Sequence, residues 1–158
     1  MQDTTRPPQP FAGDADPERM GHNRAWFNLL RVHRHLHPQV ARHLREAGIE
    51  DPIWHEIMID IGRAGEAGRR MHDVEKHLYV PQYSLSRHVS RLVDRGWVSR
   101  SAASGKGRGQ VLHLTPEGKA VDTEVWPIYE NAIHQVIGTR LSPDEGYQLA
   151  RLLIRLYD

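Results

Sequence analysis

The chain has no cysteine among its 158 residues. That excludes a disulfide framework, a thiol redox sensor and a thiolate metal site. Long hydrophobic runs are also missing: none approaches the ~18 apolar residues of a membrane span, so no membrane partner is expected. The stretch from Met1 to Asp16 lacks the apolar segment of a signal peptide, and a cytoplasmic protein is expected. Charge of one sign is scarce in excess. Lys and Arg number 21 against 20 Asp and Glu, for a net charge of +1. Any basic surface must therefore come from how the charges are distributed. Catalytic signatures are absent too. There is no glycine-rich phosphate loop after a strand, no nucleophile–base pair of recognisable spacing and no metalloprotease motif. Neither an enzyme nor a cofactor is expected.

What is present is helical periodicity at both ends and a glycine-rich hairpin between. Residues 1–20 carry Pro7, Pro8, Pro10 and Pro17 among polar residues and read as a flexible arm. From about Gly21, Trp26, Leu29, Leu30, His33, Leu36, Val40 and Leu44 recur at helical steps, with a kink expected near His37, caused by Pro38, and a stop at Gly48. Asp51-Pro52 opens a second helix bearing Ile53, Trp54, Ile57, Met58 and Ile61, which the glycines of residues 62–68 end. A short helix over Met71 to Leu78 and a turn at Tyr79-Val80-Pro81 follow. The next helix, about Pro81 to Arg95, should bury Leu85, Val89, Leu92 and Val93. Trp97 to Arg100 reads as a strand, residues 104–109 as a hairpin loop and Gln110 to Leu114 as the returning strand. Thr115-Pro116 caps a further helix with Val121, Val125, Trp126, Ile128, Ile133, Val136 and Ile137, bent at Pro127. Ser142-Pro143-Asp144-Glu145 is a capping box for a last helix that should bury Leu149, Leu152, Leu153 and Leu156.

A helix–turn–helix followed by a glycine-rich hairpin is the winged-helix plan. One helix can fill a DNA major groove while the hairpin tip reaches the flanking backbone or minor groove. On the helix from Pro81, the surface left by the apolar stripe presents Gln82, Tyr83, Ser84, Ser86, Arg87, Ser90 and Arg91, with no carboxylate before Asp94. These donors and acceptors suit phosphates and base edges. Arg87 is the candidate for a base edge and Arg91 for a phosphate. His88 is either a DNA contact or an ordinary surface residue. Lys106 and Arg108 alternate with glycines at the hairpin tip.

The stretch from Met71 to Gly118 resembles the MarR family. The resemblance rests on Leu78-x-Val80 at the turn and on Leu85-Ser86-Arg87-x-Val89 with Arg91-Leu92-Val93. It is completed by Arg95-Gly96-Trp97-Val98, which leads through the hairpin to Leu114-Thr115-Pro116-Glu117-Gly118. The helical order on both sides extends it to about residues 20–158. It implies a mainly α (α+β) fold: a winged helix-turn-helix lobe over 52–114 with a two-stranded β-wing, flanked by N- and C-terminal dimerisation helices over 22–48 and 116–157. The arm is 1–20, and 21–158 is a single domain.

The resemblance also implies a function. The expectation is a sequence-specific transcriptional regulator of double-stranded DNA, a homodimeric repressor of pseudo-palindromic operators relieved by a small-molecule ligand. Arg108 falls where the family's wing places an arginine for the minor groove, whereas Lys106 replaces the aspartate that braces it. Tyr79 stands where the family commonly has glycine. Either it adopts the left-handed region at a cost of roughly 1–2 kcal/mol, or the turn is shaped differently. Trp26, His33, Trp54, Met58 and Trp126 are candidates to line a ligand pocket, with core packing as their alternative role. His33 and His37 sit at i, i+4, with His43 and His134 as further candidates, but zinc needs about four ligands and no metal is expected. Two alternatives stay open: a winged-helix module for protein–protein contact, and a metal-responsive, histidine-ligated regulator.

Overall fold

A computed structural model of the protein describes residues 11–103 and 109–157. The chain divides into two compact units, Met1–Gln39 and Val40–Asp158. The division falls beside Pro38, whose missing N–H removes an intrahelical bond. Helix α1 nevertheless runs from Pro17 to Glu46 with Pro38 inside it. In the first unit, Arg24 folds back on the segment preceding α1. Its Nε and Nη2 donate to Asp14 at 2.7 and 2.6 Å, and its guanidinium lies over the Phe11 ring. The end of the expected flexible arm, from Phe11 to Asp14, is thus fastened to α1. That fork holds the Asp14 carboxyl below the usual carboxylate range. The expected arm is also too long: residues 17–20 already belong to α1, while residues 1–10 lie outside the described residues.

In the second unit, α2 (Ile53–Arg63) and α3 (Met71–Leu78) precede α4 (Gln82–Asp94). The N-cap of α2 falls on Pro52, and Asp51, two residues before the helix, accepts from Ile53 N through its Oδ1 at 3.0 Å. Strands β2 (Val98–Ala102) and β3 (Gln110–Leu114) form an antiparallel hairpin with Val98 opposite Leu114 and Arg100 opposite Leu112. The expected two-stranded sheet has a third member. Strand β1 (Arg69–Arg70) pairs antiparallel with β3, giving the order β1-β3-β2. Two arginines offer no alternation of apolar and polar residues, so periodicity passes over them. Gly68 delivers the chain to that edge at φ +71°, where a side chain would collide with His113 and Val111.

Helix α5 (Pro116–Ile133) opens on Thr115, whose Oγ1 accepts from Gly118 N at 3.0 Å and donates to Gly96 O at 2.6 Å. Gly118 packs directly against the Trp97 carbonyl, leaving no room for a Cβ. A π-helical turn, His134–Gly138, leads toward α6 (Pro143–Ile154). The Ser142–Glu145 capping box forms at its start, with both reciprocal bonds present.

Leu44, Ile49, Trp54, Ile57, Met58, Ile61, Val74, Leu85, Val89, Leu92, Val98 and Leu112 make the core of the lobe. The expectation that α6 buries its leucines is corrected for the single chain. Leu149, Leu152 and Leu156 are exposed, Leu153 is half-buried, and no residue of α6 is buried. Their periodicity is helical, but the surface they would pack against is not supplied by the rest of this chain's described residues.

Candidate nucleic-acid interface

Helix α4 is set in place by three buried side chains four and three residues apart, Leu85, Val89 and Leu92. Val93, at the edge of the stripe, is half-buried. Pro81 stands just before the first turn, and its carbonyl accepts from Ser84 N and Leu85 N at 2.9 Å each. The turn into α4 resolves the alternatives for Tyr79. Its backbone is left-handed, at φ 53° and ψ 33°. Its hydroxyl donates to Tyr157 O at 2.6 Å, and the two rings meet edge to face. This anchor offsets the cost of a non-glycine residue in that region.

The opposite face of α4 is polar. Gln82, Tyr83 and Arg87 are exposed, and Ser84, Ser86, His88 and Ser90 are half-buried. Among the described residues Arg87 has no hydrogen-bond or ion-pair partner, leaving its donor fork open. Ser90 is engaged: its Oγ donates to Ser86 O at 2.9 Å and accepts from Arg100 Nη2 at 2.7 Å. Arg100 lies on β2, so that bond ties the hairpin to α4. His88 Nδ1 accepts from the indole N–H of fully buried Trp54 at 3.2 Å. In neutral His88 this places the ring proton on Nε2. Arg91 Nη1 donates to Glu50 Oε2 at 3.1 Å. Lys106 and Arg108 fall outside the described residues.

Sequence reasoning did not single out Glu50, Arg95 or Arg100. Arg95 donates to Glu50 Oε1 at 2.7 Å and lies over the rings of Trp54 and Trp97. A signal existed in Trp97, two residues after Arg95, since Trp faces attract guanidinium groups. The partner carboxylate was not visible, because Glu50 is 41 residues from Arg91 in the chain.

The residues named for a ligand pocket have different surroundings. On α1, Trp26 and His33 are exposed, and His33 packs on His37 with ring centroids 5.1 Å apart. Trp54 and Met58 are fully buried in the lobe. Trp126 is exposed on one side and stacks on buried His55 on the other, at 5.7 Å between centroids. No group of three or more His, Asp or Glu side chains able to hold a metal ion occurs among the described residues.

A helix–turn–helix braced on a three-stranded sheet, with an open arginine on its second helix, defines a winged helix-turn-helix protein. A sequence model of the MarR family matches residues 47–109, from the loop before α2 to the hairpin. The resemblance drawn from its motifs is borne out. The multiple antibiotic resistance protein MarR of Salmonella typhimurium is 30% identical over 84 residues, which are 53% of this chain and 58% of that protein's length. The chain thus matches little more than half of this curated relative. In fold, the protein is similar to Sco3205, a MarR family transcriptional regulator from Streptomyces coelicolor solved in complex with DNA. The TM-score is 0.77 at 23% identity, over 85% of this chain and 84% of that one. A mutant MarR from E. coli complexed with operator DNA gives a TM-score of 0.73 at 23% identity, over 92% of this chain and 99% of the other. No helix among the described residues is long and apolar enough to cross a membrane.

Proposed function

We propose that this protein is a sequence-specific transcriptional regulator that binds double-stranded DNA through α4. The observation that carries this reading is the outer face of α4. Arg87 stands exposed and unpaired among described residues, with Gln82, Tyr83 and Ser84 on the first turn and no carboxylate on the helix before Asp94. The helix itself brings no carboxylate to a major groove on that face, and an arginine fork there matches the acceptors of guanine. The MarR relatives solved with DNA support the same reading.

The working unit in this proposal is a homodimer. Trp126, Ile128, Ile137, Leu149, Leu152, Ile154 and Leu156 are exposed on the C-terminal helices, and Trp26, Phe27 and Val32 on α1. So much apolar surface on the N- and C-terminal helices suits burial against a second copy. Two α4 helices about one DNA turn apart would then read a pseudo-palindromic operator. Repression in the cytoplasm, relieved by a small ligand that favours a different dimer spacing, completes the proposal. Of the named pocket candidates in the lobe and α5, Trp126 offers surface to such a ligand, whereas Trp54 and Met58 are spent in the core.

Selection of bound duplexes from a random library by the purified protein tests this. Enrichment of an inverted repeat with half-sites about one helical turn apart is expected. A folded dimer that enriches no sequence would favour the protein–protein module instead.

A further inference from the structure

Glu50 lies in the loop between α1 and α2, yet its carboxylate reaches the recognition helix. One oxygen, Oε1, accepts from Arg95 Nη2 at 2.7 Å. Arg95 is itself held, with its guanidinium 5.5 Å from the centroid of Trp54 and 5.4 Å from that of Trp97. Those rings meet edge to face, and Trp54 is fully buried. The other oxygen, Oε2, accepts from Arg91 Nη1 at 3.1 Å. A carboxylate anchored through one oxygen to Arg95 thus presents the second to Arg91, the α4 arginine expected to meet a phosphate.

Carboxylate and phosphate offer a guanidinium the same kind of acceptor pair. We propose that Glu50 is an internal phosphate surrogate that sets the DNA affinity of α4 by competing for Arg91. The proposal rests on the DNA-binding reading above and adds a residue that opposes it. Arg91 and Glu50 side chains are 56% and 45% exposed, so the pair is open to exchange with an incoming phosphate. An exposed ion pair is weak and screened by salt, which makes the exchange easy. A phosphate that takes Arg91 must nevertheless displace Glu50, and the lost pair offsets part of the contact. Arg87, with no carboxylate partner among the described residues, carries no such opposition. The brake therefore acts on phosphate contact, which is blind to sequence, and not on base readout.

Glu50→Gln keeps the shape and an acceptor for Arg95 while removing the charge. The test is fluorescence anisotropy with a labelled mixed-sequence duplex over a salt series, for the wild type, Glu50→Gln, Arg91→Ala and the double variant. Glu50→Gln is expected to bind about 3- to 10-fold tighter, with a log–log salt slope steeper by about one. In the Arg91→Ala background the same change should have a much smaller effect. Weaker binding by Glu50→Gln would make Glu50 a brace for Arg91 and overturn the proposal. A wild type that binds beside an unchanged Glu50→Gln also overturns it and leaves the DNA-binding reading standing. Absence of binding by all four proteins, folded by circular dichroism, removes the DNA-binding reading and the brake together.

Discussion

His55 Nδ1 lies 2.9 Å from Asp122 Oδ1, joining α2 of the lobe to α5. The approach is off the line of a directed hydrogen bond. Both imidazole nitrogens and that oxygen are buried without a directed partner among the described residues. The ring stacks on Trp126 at 5.7 Å between centroids and meets Tyr129 in an edge-to-face arrangement at 5.2 Å. A buried polar group costs most when its one neighbour of opposite character is taken away. Asp122→Ala should therefore destabilise the fold by about 1–3 kcal/mol. His55→Phe keeps the aromatic packing and leaves Asp122, 25% exposed, free to meet water. Urea denaturation should show it to be the milder change. If His55→Phe costs as much as Asp122→Ala, the pair contributes more than the geometry suggests.

Arg87→Ala should separate sequence readout from general affinity. A bidentate arginine–guanine contact contributes about 1–3 kcal/mol of discrimination. The variant should lose that much on the selected operator and far less on unrelated duplex, measured at one salt concentration. Equal losses on both would assign Arg87 to phosphate.

Thr115 serves two elements with one hydroxyl, accepting from Gly118 N and donating to Gly96 O. Thr115→Val should cost about 1–2 kcal/mol, near the upper end for a lost helix cap, because the junction of β3 and α5 loses both bonds. Thr115→Ser should recover most of it in thermal unfolding.

Tyr129 gives an alkaline signature. Burial, followed by the negative charges of Glu56 and Asp51, pushes its phenol up to about 12. An unfolded tyrosine ionises near 10. The contribution of neutral Tyr129 is thus fully present below about pH 10 and is lost as pH rises through about 12. Phenolate absorbance should show a tyrosine step displaced to high pH. Tyr129→Phe should remove that late step, and its persistence would assign the raised value to another residue.

Local signals in the chain sufficed for much of this fold. Apolar spacing places α3 at Met71–Leu78 and β3 at Gln110–Leu114, and the Ser142 capping box is legible because its two bonds lie within one turn. Strand β1 was hidden because its pairing with β3 joins residues some forty positions apart, Arg69 with Leu112. The polar face of α4 could be listed from sequence, but not the state of its members. Ser90 is engaged by Arg100 and His88 by Trp54 through contacts that no local pattern encodes. The α6 leucines show the converse: their helical period was clear, whereas no described part of this chain buries them.

The junction at Gly118 has a consequence for how such sequences can drift. Any side chain at that position would run into the Trp97 carbonyl, and that same carbonyl accepts from Thr115 N at 3.1 Å. The neighbouring backbone cannot yield without breaking the link that starts α5. Position 118 is therefore closed to substitution for a reason unrelated to any ligand. A glycine retained there across diverging descendants would record the geometry of a strand passing under a helix, and would say nothing about what each descendant binds.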